Sequence, residues 1–123
     1  MILAFFAAGA MQVPDDIFKT LPHVFEHYVC VADLVDYAAL LPADERQDDE
    51  LISAALKTCA KTHDAAVAEF EKYGLQQPAV IAWAKHKSVS EIHAASENGF
   101  DSSLLDQVKK NMARTRLDKH AQD

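Results

Sequence analysis

The sequence predicts an all-α fold, a four- or five-helix bundle around a central antiparallel helical hairpin. Three observations carry this. Gly is scarce, at 3 of 123 residues, while Ala is abundant, and Ala loses least when a helix forms. β-branched residues occur singly, with no alternating run to mark a strand. Apolar residues recur at spacings of three and four through two long stretches on either side of residue 44. A chain of 123 residues that is 50% apolar and 25% charged has the composition of one globular domain with a core of its own.

Residues 1–10, MILAFFAAGA, read as a signal-peptide-like leader, with residues 11–123 as the single helical domain. Ile2, Leu3, Phe5 and Phe6 form a short apolar run, and Ala8-Gly9-Ala10 fits the small-x-small pattern before a cleavage point. The run falls short of the ~20 residues a bilayer span needs, and no integral membrane span is expected elsewhere. No Lys or Arg precedes the apolar stretch, so the basic start of a typical leader is missing. The expected location is export to a periplasmic or extracellular space, with the cytoplasm as the alternative.

Pro14-Asp15-Asp16 opens a short helical turn, Ile17-Phe18-Lys19-Thr20, which Leu21-Pro22 interrupts or kinks. The first long helix is expected from about His23 to Leu41. Its apolar residues fill more than one stripe, which places it centrally, contacted on several sides. The second is expected from Asp44 to Tyr73, with Asp44 and Gln47 as a reciprocal cap. Its inner stripe reads Ile52, Ala55, Leu56, Cys59, His63, Ala66, Val67 and Phe70. Glu50, Ser53, Lys57, Lys61 and Asp64 fall on its wet side. Gly74 supplies the left-handed residue on which helices often end.

Pro78 opens a third stretch that ends at Asn98-Gly99. Its apolar residues Ile81, Trp83, Ala84, Val89 and Ile92 are weakly periodic. Ser88-x-x-Glu91 is a capping-box pattern, so residues 78–98 read as one helix or as two broken near Lys87. Asp101 or Ser102 then caps a last helix with Leu104, Leu105, Val108 and Met112 on one face, fraying past about Leu117.

Cys30 and Cys59 stand fourteen positions before and fifteen after the turn at residue 44. Positions equidistant from a tight turn lie level across an antiparallel pair. Packed helix axes are about 8–10 Å apart, so facing Cα atoms can enter the 4.4–6.8 Å range of a disulfide. A Cys30–Cys59 disulfide is the expectation, with two buried thiols as its bland rival. The alternative is a zinc or copper site. His23, His27 and Cys30 share one face of the first long helix, Cys59 and His63 one face of the second. His27, Cys30, Cys59 and His63 would then supply two imidazoles and two thiolates. His86 and His93 read as surface residues.

The net charge is −7. Residues 101–123 carry five Lys/Arg against four Asp/Glu, leaving seven against fifteen in residues 1–100. An acidic body repels phosphate backbones, so nucleic acid is not the expected partner; a basic protein suits it better. Asp44, Glu45, Asp48, Asp49 and Glu50 are the candidate contact, although such a cluster is also what the positive end of a helix favours. No phosphate-cradling loop, nucleophile elbow or calcium loop is present, and no catalytic residue is assigned. The sequence favours a small exported protein-binding module, of an inhibitor or immunity-like kind, stapled by Cys30–Cys59.

Overall fold

The computed structural model describes residues 17–40 and 48–122, all in an all-α arrangement. Six helices occur among them: α1 Ile17–Thr20, α2 Pro22–Leu40, α3 Asp48–Thr58, α4 Ala60–Gly74, α5 Pro78–Ala84 and α6 Val89–Gln122. The leader residues 1–10, the turn at residue 44, Asp44 and Glu45 lie outside the described residues. Among those described, no helix is long and apolar enough to cross a membrane.

α2 is the central element, packed against α1, α3, α4 and α6. Val24, Val31 and Val35 on it are wholly buried. Pro22 occupies its first position, where its missing N–H costs nothing. Glu69 of α4 accepts the Val24 N–H at 2.9 Å, and a carboxylate there also suits the helix dipole.

The second arm of the hairpin is not one helix. It divides at Cys59, which leaves helical geometry at φ −96°, ψ 19°. The Cys59 carbonyl accepts the Thr62 N–H at 3.2 Å and the Thr62 hydroxyl at 3.0 Å, so a tight local turn joins α3 to α4. Ile52, Ala55, Cys59, Ala66, Val67 and Phe70 are in the core, and Leu51 joins them. Leu56, expected inside, is 36% exposed.

At Ser88 the chain does break. The Glu91 N–H donates to Ser88 Oγ at 3.2 Å, and the Ser88 N–H donates to Glu91 Oε1 at 3.3 Å. That reciprocal pair starts α6, and its hydrogen bonds hold the Glu91 carboxyl below its usual pKa. In α5 the core residue is Val80, whereas Ile81 is 44% exposed.

The expected stop at Asn98-Gly99 does not occur. α6 runs through both residues, so Asp101 and Ser102 are mid-helix residues and not caps. The physical reason is phase. Ser96, Gly99, Phe100, Ser103, Leu104, Val108 and Met112 form one continuous buried face, and burying Phe100 outweighs the ~1 kcal/mol a mid-helix Gly costs. The helical backbone also continues past Leu117 to Gln122.

Candidate functional site

Cys30 and Cys59 form a disulfide, with their Cα atoms 6.0 Å apart. It ties α2 to the joint between α3 and α4, with Cys59 almost fully buried. Joined to each other, the two sulfurs are not thiolates. His27, Cys30, Cys59 and His63 therefore do not make a four-ligand metal set in this form.

The two histidines nevertheless meet. Their ring centres are 5.4 Å apart in an edge-to-face arrangement, with Phe100 of α6 beside both. His27 is wholly buried. Its Nδ1 lies 2.7 Å from Thr62 Oγ1. The Thr62 hydroxyl gives its proton to the Cys59 carbonyl, so it accepts from His27 Nδ1–H. His27 Nε2 then presents a lone pair, and it is buried with no hydrogen-bond partner. Burial, then the proximity of His63, hold the His27 pKa below its ordinary value against the opposing pull of Asp101 and the Cys59 carbonyl.

His63 sits nearer the surface in α4. Its Nε2 is 2.8 Å from Asp101 Oδ1 of α6, and its Nδ1 is 3.4 Å from Asp64 Oδ1. Burial alone would push its pKa down. The hydrogen bond and charge of Asp101, helped by Asp64 and Glu97, more than offset this and leave it above its ordinary value. The charged imidazole is thus favoured at one edge of the aromatic cluster and the neutral one at the other.

His63 and Asp101 also border an open groove of about 730 Å³ between α3, the start of α4 and α6. Leu56, Ala60 and Leu105 supply its apolar walls; Ser53, Lys57, Asp64 and Ser102 complete the lining. α4 packs closely on α6, while α3 touches it sparingly, which is why the cleft opens alongside α3. Asp49 and Glu50 precede Ser53 by four and three residues, so they continue the same exposed side of α3. Asp49 meets Lys109 of α6 at 3.0 Å.

Of the acidic cluster expected as a contact, Asp49 and Glu50 are exposed. Asp48 begins α3, and Asp44 and Glu45 lie outside the described residues. His23 and His86 are exposed, as is His93, which lies 3.7 Å from Glu71. Asp101, Glu97 and Leu105 carry the site without having been singled out for it by the sequence. Their phase with Phe100 was the available signal, obscured by reading Gly99 as a stop.

No protein-family model, characterised protein or solved structure matches the chain.

Proposed function

We propose that the chain is a small exported binding module whose groove receives a basic, amphipathic segment of a partner protein. The observation that carries this reading is the groove itself. It is large enough for several side chains, apolar in its walls, and bordered by carboxylates. Leu56, Ala60 and Leu105 would take the apolar anchors of the incoming segment. Asp49, Glu50, Asp64 and Asp101 outnumber Lys57 and Lys109 around it, which favours a cationic segment and speeds its approach.

The Cys30–Cys59 bond supports the placement in an oxidising compartment, where disulfides persist.

The test uses a synthetic peptide with a leucine face and a lysine face, titrated into the isotope-labelled protein. NMR shifts should gather at Leu56, Ala60 and Leu105. Reversing two charges, Asp49→Lys with Glu50→Lys, should weaken binding about tenfold or more at low salt and progressively less as salt screens the charges. Shifts centred on another face, or affinity unchanged by the reversal, would overturn the reading. Export is tested by intact mass with and without reduction before alkylation: a chain cut after Ala10, with no free thiol until reduced, is the expected result.

A further inference from the structure

Where α4 faces α6, His63 and Asp64 of the groove lining stand beside Glu97. His63, Asp64 and Glu97 each offer one ligating atom, and these three atoms all lie within 4.8 Å of one another. They come from two helices, and the set mixes an imidazole with two carboxylates. We propose that His63, Asp64 and Glu97 form a site for a divalent transition metal of the zinc class, with Asp101 orienting the His63 ring.

The short contact of His63 is Nε2 to Asp101 Oδ1, at 2.8 Å. It places the ring proton on Nε2 and leaves the Nδ1 lone pair pointing toward Asp64 Oδ1, 3.4 Å away. Two acceptors facing each other repel unless something positive lies between them. A second proton on the ring meets that need in acid; a metal ion meets it at higher pH, in competition with the proton.

The dimensions fit. Around a tetrahedral ion with bonds of about 2.0–2.1 Å, neighbouring ligand atoms stand about 3.4 Å apart. The His63–Asp64 pair already has that spacing. Glu97, a flexible and only partly buried side chain, needs to close by little more than 1 Å from the outer limit of 4.8 Å. Asp64 is almost wholly exposed and free to adjust. Three protein ligands leave a fourth position for solvent, the arrangement of an open site.

Asp101 has the place such sites give to a supporting carboxylate. A metal-bound histidine usually donates its other N–H to a carboxylate or carbonyl, which fixes the ring and raises its basicity. The donor set also selects the ion. An imidazole with two carboxylates suits zinc, nickel, copper or iron better than calcium or magnesium, which prefer all-oxygen shells. The site shares His63 and Asp64 with the groove lining, yet it requires only the metal and no groove partner.

The experiment titrates zinc chloride into the full disulfide-bonded chain at pH 7.5, by calorimetry with a thermal melt at each end point. One zinc per chain and a raised melting temperature are expected, because the ion joins α4 to α6 and binds only the folded form. Asp64→Asn and Glu97→Gln should each weaken binding at least tenfold. Asp101→Asn should weaken it about 10–100-fold although Asp101 is not a ligand. His86→Gln and His93→Gln should leave it unchanged. Far-UV circular dichroism confirms that each variant is folded, and the exposed Asp64→Asn is the variant least able to disturb the core. No saturable binding by the parent chain would overturn the site. So would affinity unchanged in both Asp64→Asn and Glu97→Gln, or displacement of zinc by equimolar calcium.

Discussion

His27 and His63 hold their rings 5.4 Å apart, edge to face, yet their surroundings drive the two ionisations in opposite directions. His27 is sealed in the core with a bare Nε2, where a charge has no water to solvate it. His63 stands three-quarters buried beside Asp101, Asp64 and Glu97, where a charge has partners. The same residue type is a liability in acid at one position and an asset at the other.

For His63 the folded pKa lies above the ordinary 6.5. Its contribution is therefore full below pH 6.5 and disappears as pH rises through the folded value. In metal-free buffer, Asp101→Asn should cost about 1 kcal/mol at pH 5.5, a figure reduced for the half-exposed carboxylate. The cost should shrink by pH 9. Urea unfolding at the two pH values measures it; an equal loss at both would show that the pair acts only through shape.

His27 has the opposite sign. Its folded pKa lies below 6.5, so stability is retained above pH 6.5 and lost as pH falls from there toward the folded value. The groups acting on it are His63 and Asp101 with the Cys59 carbonyl. His27→Leu should stay within about 1 kcal/mol of the parent at pH 8, since it also removes a buried unpaired nitrogen. It should gain on the parent steadily below pH 6.5. A constant difference across the range would refute this assignment.

The disulfide spans 29 positions. Closing a loop of that length constrains the unfolded chain by about 3.5 kcal/mol on the entropic account. Cys30→Ala with Cys59→Ala, or reduction of the parent, should lower the unfolding free energy by about that amount. A loss under about 1 kcal/mol would mean that core packing alone holds α2 to the α3–α4 joint.

Phe100 touches Phe18, His27, His63 and Phe70 from a fully buried position. Phe100→Ala should cost about 3–5 kcal/mol in chemical denaturation. It should also shift the titration of both histidines, which NMR can follow by their ring protons. Retained pH behaviour in a destabilised variant would separate the packing role of the ring from its electrostatic one.

The legible features were those written in local spacing. The restart after Ser88 was legible as one of two readings, through a serine and a glutamate three apart whose reciprocal bonds need no distant partner. Leu21-Pro22 interrupted the chain where α1 gives way to α2. The disulfide was accessible because equal distances from one turn place residues level with each other. Gly99 misled because its local preference is to end a helix, whereas here the buried face on either side of it carries the helix through. The break at Cys59 lay in a run with unbroken helical periodicity, so nothing local announced it.

By itself the sequence determined an all-α chain, a central helix contacted on several sides and two cysteines level across a hairpin, since periodicity and spacing are properties of the chain alone; that the sulfurs join each other was decided by the fold. The tertiary structure decided what surrounds His63. Asp101 and Glu97 reach it from α6, 34 or more residues along the chain, and they do so only because α6 passes through Gly99 in phase with the core. Long-range juxtaposition depends on the summed burial of many side chains, Phe100 foremost, and no local pattern encodes that sum.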